Sequence, residues 1–208
     1  MSLPSPKIDT LVDLLRWRAQ QQPHKVAYTF LTDGDHEEVN ITYAELDRQA
    51  QALAVRLQRM VQPGERAILL YPPGLAFITG FFGCLYAGVI AVPAYPPHSK
   101  RPMPRLDAIV RNAQPKVALT TQAVWPKVNA QFTERTELTE EFILPTDTLA
   151  VEQLELWRPP TLATDSLAFL QYTSGSTGNA KGVMITHGNV FHNEQMIATA
   201  FENDEQSI

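Results

Sequence analysis

Cysteine is nearly missing from this chain: Cys84 is the single one in 208 residues. One thiol cannot close an internal disulfide, which points to a reducing compartment, the cytoplasm. Cys84 sits in an apolar run with nothing nearby to lower its pKa, so it reads as a small core residue and not as a nucleophile. Positive charge is also short. Seventeen Lys and Arg against 22 Asp and Glu leave a net charge of −5 with no basic stripe, which argues against a nucleic-acid surface. The first residues, MSLPSPK, lack the apolar core of a signal peptide. No histidine pair has metal-ligand spacing, and no G-x-S-x-G turn surrounds Ser174 or Ser176. Neither an internal repeat nor a low-complexity tract is present.

One stretch lacks charge altogether. From residue 67 to 99 there is no Asp, Glu, Lys or Arg, and 74–92 is long enough to span a bilayer. Pro72 and Pro73 at its start and Pro93, Pro96 and Pro97 at its end argue instead for a buried strand, a helix and a second buried strand. Gly80, Gly83 and Gly88 fit close packing of that helix on its neighbours.

What is present reads as alternating strands and helices. Thr10 with Asp13 marks a helix start, with Leu11, Leu14, Leu15 and Ala19 on one face and Pro23 as its stop. Residues 25–32 (KVAYTFLT) and 38–41 form a hairpin around Asp33-Gly34-Asp35. Thr42 with Glu45 is a second capping box, followed by the stripe Leu46, Ala50, Leu53, Ala54 and Leu57 and by Pro63-Gly64. Strands are expected at 66–71, 89–92 and 116–120, with a helix carrying Leu106, Ile109, Val110 and Ala113 before the last. That succession predicts an α/β fold, parallel-sheet layers flanked by helices. Residues 122–166 are expected to be a surface segment with short helices. Glu134, Glu137, Glu140 and Glu141 there read as a solvated acidic face, not metal ligands. A final helix is expected from about Asn189, as its cap, toward Phe201.

The chemistry is concentrated in Thr173-Ser174-Gly175-Ser176-Thr177-Gly178-Asn179-Ala180-Lys181-Gly182. Hydroxyls, glycines and one lysine stand between two β-compatible runs, 167–172 and 183–187. Glycines let several N–H groups turn toward one anion, hydroxyls donate further hydrogen bonds, and lysine adds a point charge. The pattern suits phosphate. It is neither a Walker loop, since Lys181 precedes Gly182 and a strand follows, nor a dinucleotide G-x-G-x-x-G turn.

That stretch resembles the phosphate-binding signature of the adenylate-forming superfamily, which includes acyl-CoA synthetases, peptide-synthetase adenylation domains and luciferases. The resemblance implies that Thr173, Ser174, Gly175, Ser176, Thr177, Gly178, Lys181 and Gly182 hold the β- and γ-phosphates of ATP while a carboxylate attacks the α-phosphate. Ala180 stands where relatives often carry proline, a change that loosens the unbound loop. Residues 81–88 (FFGCLYAG), 91–97 (AVPAYPP), Arg105-Leu106 and 117–121 are similar to the fatty acyl-AMP ligase branch. This implies a fatty acid substrate and an acyl carrier protein as acceptor, with coenzyme A as the alternative.

The resemblance runs from the first helix to the end of the chain but covers only the opening part of the large N-terminal domain of an adenylate-forming enzyme. Residues 1–121 would be an α/β subdomain, 122–166 the surface segment, and 167–208 the phosphate-loop hairpin with its following helix. The stretches that hold adenine and ribose, the magnesium-binding glutamate, the acyl tunnel and the C-terminal domain with its adenylation lysine would lie beyond Ile208. By itself residues 1–208 are therefore expected to make little acyl-AMP, as a truncated piece or natural fragment. A non-catalytic scaffold piece and half of a split enzyme are the competing readings. Kinase-like phosphotransfer is disfavoured, because no strand-end aspartate for magnesium is evident. His24, His36, His98 and His192 carry no assigned role. His187, at the end of the strand after the loop, is expected either to orient the loop or to bond backbone.

Overall fold

The structure, a computed structural model, describes residues 8–97, 103–132, 139–173 and 180–202. Among them the chain runs α1 (Leu11–Gln21), β1 (Val26–Leu31), β2 (Glu38–Thr42), α2 (Tyr43–Gln58), β3 (Arg66–Leu70), α3 (Leu75–Ala87), β4 (Ile90–Ala94) and α4 (Pro104–Ala113). It continues with β5 (Val117–Thr120), α5 (Trp125–Phe132), β6 (Ile143–Pro145), β7 (Leu167–Thr173), β8 (Lys181–Thr186) and α6 (His187–Ala200). β1 and β2 pair as a separate antiparallel hairpin. The other strands form one six-stranded sheet in the order β6-β5-β3-β4-β7-β8, parallel throughout except for β7 with β8. This is the expected α/β architecture.

α1 and α2 start where the sequence says they should. Thr10 and Thr42 each accept the N–H of the residue three positions on, while Asp13 and Glu45 accept the threonine N–H in return. The uncharged run resolves into α3 and β4, and among the described residues no helix is long and apolar enough to cross a membrane. α3 ends because Gly88 takes φ 73°, the left-handed conformation that terminates helices cheaply only at glycine.

Two apolar layers hold the sheet, and neighbouring residues of one strand serve different layers, as the two-residue period of a strand requires. Ala67 and Leu69 of β3 join Leu46, Leu53 and Leu57 of α2 and Cys84 and Leu85 of α3 on one face. Ile68 and Leu70 join Leu106 and Ile109 of α4 and Val128 and Phe132 of α5 on the other. Cys84 is fully buried, and desolvation pushes its thiol pKa far up, in keeping with a core role.

Two features differ from expectation. Residues 122–166 supply β6 to the sheet edge and bury Val128, Phe132, Ile143, Leu144 and Trp157. Trp157 stacks on Tyr86 with ring centroids 5.2 Å apart, donates Nε1–H to the Tyr86 carbonyl, and lies under the Arg16 guanidinium. The final helix starts at His187, earlier than Asn189. Thr186 is its cap, and Asn189 is the reciprocal partner three residues on.

Candidate functional site: a hairpin at the switch point of the sheet

The chain leaves β3 toward the face covered by α3 and leaves the neighbouring β4 toward the face covered by α4. Adjacent parallel strands whose exits diverge this way leave a crevice at their carboxyl ends, the usual ligand position in open α/β sheets. A cavity of about 450 Å³ lies there. Its walls are Tyr71 to Gly74 after β3, Pro93 to Tyr95 around the end of β4, the start of α4 with Arg105, and Gln171 and Tyr172 near the end of β7.

Tyr71 is fixed in that wall. Its hydroxyl shares a 2.7 Å hydrogen bond with Thr146 Oγ1, and Thr120 Oγ1 donates to the Leu70 carbonyl beside it. Burial raises the Tyr71 pKa well beyond the ordinary phenol range, so the ring stays neutral. Gly80 of α3 makes room for it, since a Cβ there would meet the Tyr71 ring at 2.7 Å.

β7 ends at the same edge, and the loop it enters is the predicted phosphate loop. The ladder pairs Thr173 with Lys181 and Tyr172 with Gly182, so these four residues form the closed base of the loop. Lys181 is exposed at that base. Ser174, Gly175, Ser176, Thr177 and Gly178 lie outside the described residues. The structure therefore brings together Thr173, Lys181 and Gly182 of the predicted set. Arg105, which sequence reasoning used only as a lineage marker, reaches this base too: its guanidinium lies 3.4 Å from the Tyr172 carbonyl.

Tyr172 is the residue that sequence reasoning missed as a structural anchor. Its side chain turns into the layer under α4, and its hydroxyl donates to Asn112 Oδ1 at 2.6 Å. Burial raises its pKa, with Arg66 acting the other way. The ring crosses directly over Gly182, where an added Cβ would meet Cζ at 2.9 Å and Cε2 at 3.1 Å. Gly182 thus allows a cross-strand ring to lie flat, an arrangement that a glycine-aromatic pair in the sequence could have signalled. Gly182→Ala is expected to push the ring off Asn112 and speed amide exchange across β7 and β8 by about tenfold, the consequence of overpacking at a filled contact. Mass-spectrometric hydrogen exchange measures it; unchanged protection would show that the ring yields without cost.

No group of three His, Cys, Asp or Glu that could hold a metal occurs among the described residues. Among the described residues no such group is available to the magnesium that adenylate-forming chemistry implies.

The profile of the family described as AMP-binding enzyme matches residues 15–207. A medium-chain-fatty-acid--[acyl-carrier-protein] ligase, JamA of Moorena producens, is 44% identical over 98% of this chain and 35% of its own length. The long-chain-fatty-acid--AMP ligase FadD32 of Mycolicibacterium smegmatis is 36% identical over 91% of this chain and 31% of its own. The crystal structure of a fatty acyl-adenylate ligase from L. pneumophila, in complex with acyl adenylate and pyrophosphate, superposes with a TM-score of 0.86 at 36% identity. That match covers 96% of this chain and 34% of the other. The chain thus spans about a third of the length of these relatives. With nearly all of its length inside the matched profile and its loop base at the carboxyl edge of the sheet, the chain belongs to the AMP-binding enzyme family.

Proposed function

We propose that the full-length protein activates a fatty acid as its acyl-adenylate and passes the acyl group to an acyl carrier protein. The observation that carries this reading is the Thr173–Lys181 pair, which closes the base of the hydroxyl- and glycine-rich stretch next to Gln171 and Tyr172 of the switch-point cavity. A carboxylate oxygen attacks the α-phosphorus of ATP, the bond to the bridging oxygen breaks, and pyrophosphate leaves with the negative charge. Thr173 and Lys181 would face that leaving group together with Ser174, Gly175, Ser176, Thr177, Gly178 and Gly182. Fixed donors and a positive charge placed where negative charge grows favour the transition state over the ground state.

The names of the relatives support the substrate class, and JamA supports a carrier-protein acceptor. Coenzyme A is the second reading, because a relative 34% identical to the chain is named a putative fatty-acid--CoA ligase. On this reading residues 1–208 belong to the opening part of a larger N-terminal domain, and ribose, adenine and magnesium would be held by segments outside them.

The test is exchange of labelled pyrophosphate into ATP by the full-length protein. Exchange that depends on added fatty acid is expected, with none above background from residues 1–208 alone. Absence of fatty-acid-dependent exchange in the full-length protein would overturn the reading. Product analysis with holo-carrier protein and coenzyme A offered together then identifies the acceptor.

A further inference from the structure

The hairpin is moored on the face opposite Tyr172 as well. His187, the first residue of α6, follows β8 directly and is 1% exposed. Its Nδ1 accepts the backbone N–H of Leu11, the first residue of α1, at 3.2 Å and across 176 positions of sequence. The first N–H groups of a helix have no partner inside it, so the imidazole caps α1 from a distant part of the chain. The backbone of the same corner is pinned twice more, His187 N–H to the Ser166 carbonyl and Gly188 N–H to the Thr164 carbonyl.

An imidazole accepting at Nδ1 carries its proton on Nε2. That atom is buried and has no hydrogen-bond partner among the described residues. An unpaired buried donor is costly, so a residue serving only to fill this space would be better apolar. What justifies an imidazole here is the bond at Nδ1. Six residues of extended strand, about 20 Å, separate this corner from Lys181. We propose that His187 is a positioning residue of the phosphate loop: by accepting the Leu11 amide it fixes the far end of β8 against α1, and through β8 it fixes Lys181. The ATP arm of this inference rests on the proposed function; the mooring itself does not.

Protonation would undo it. An imidazolium has no acceptor at Nδ1 and would set a positive charge at the positive end of α1. Burial holds the His187 pKa below its ordinary 6.5, while Asp13 of α1 pulls upward. The first turn of α6 has no charged residue, and Asp165 in the turn before β7 is exposed. Because the folded state holds this proton more weakly than the unfolded chain, the contribution is complete above pH 6.5. It declines as pH falls toward the folded value.

The experiment compares His187→Asn, whose side-chain oxygen can stand near Nδ1, with His187→Gln, whose amide reaches toward Nε2. It adds Leu11→Pro, which removes the donor at a helix position that tolerates proline. In the full-length protein His187→Gln and Leu11→Pro are expected to raise KM for ATP by about tenfold, the loss of one buried hydrogen bond, and to be non-additive in combination. At neutral pH His187→Asn is expected to stay near wild type; on acidification KM is expected to rise in wild type and not in His187→Asn. Hydrogen exchange is read in parallel at α1 and β8, and it needs no ATP chemistry. Joint loosening of both segments in the Gln and Pro variants, with protection kept in the Asn variant, is expected. Equal behaviour of Asn and Gln, or loosening confined to α1, would overturn the positioning role. Wild-type protein without pyrophosphate exchange would overturn the proposed function instead, leaving the exchange data to decide the mooring.

Discussion

Lys181→Ala in the full-length protein is expected to lower kcat/KM for ATP by about 100-fold, the scale set by removing one preorganised group from a developing anion. Lys181 is exposed, ends the ladder opposite Thr173, and makes no ion pair with a described residue. Its ammonium is therefore available to an incoming phosphate and contributes little to folding. Stability should shift by no more than about 0.5 kcal/mol, as for other surface positions. Lys181→Arg separates charge from shape, since a planar fork does not replace a compact ammonium at a close phosphate contact. Initial-rate kinetics in ATP, alongside thermal unfolding of each variant, make the measurement. Wild-type ATP kinetics in the alanine variant would remove Lys181 from the site, and a large loss of stability would show that its role is structural.

The second large effect concerns stability. Gly83→Val is expected to destabilise the domain by about 3 kcal/mol, the upper part of the range for overpacking a filled core. Gly83 lies on α3 where it crosses α2, and a Cβ there would overlap Leu53, with Cγ at 2.7 Å and Cβ at 2.9 Å. Leu53 is 1% exposed and enclosed by the same layer, so it has nowhere to retreat. The helix would have to lift, and α3 also carries Phe77 of the cavity wall and Gly80 behind Tyr71. Gly83→Ala should cost less, because better helix propensity returns about 1 kcal/mol. Combining Gly83→Val with Leu53→Ala should recover part of the loss, a coupling that chemical denaturation of the four proteins would reveal. Additive losses would show that the two side chains do not compete for one space.

Most elements were legible because their signals are local. Thr10 with Asp13 and Thr42 with Glu45 announce helix starts within four residues, and uncharged β-branched runs announce buried strands. β6 was not legible, since Ile143–Pro145 is too short to show a period and contains the residue that strands least accept. The start of α6 was misplaced because Thr186 and Asn189 are both good caps, and only the backbone shows which one holds the non-helical position. At the site, the loop announced itself by composition. The Tyr172–Asn112 bond, the Leu11–His187 bond and the divergence of the β3 and β4 exits are relations between distant segments, which no spacing records.

The two banks of the crevice stand on separate foundations. One follows α3 and takes its support from the layer beneath Leu69; the other follows α4 and depends on the layer beneath Leu70. Consecutive residues thus govern opposite sides of whatever the crevice holds, and evolution or engineering can reshape either flank while its counterpart stays put.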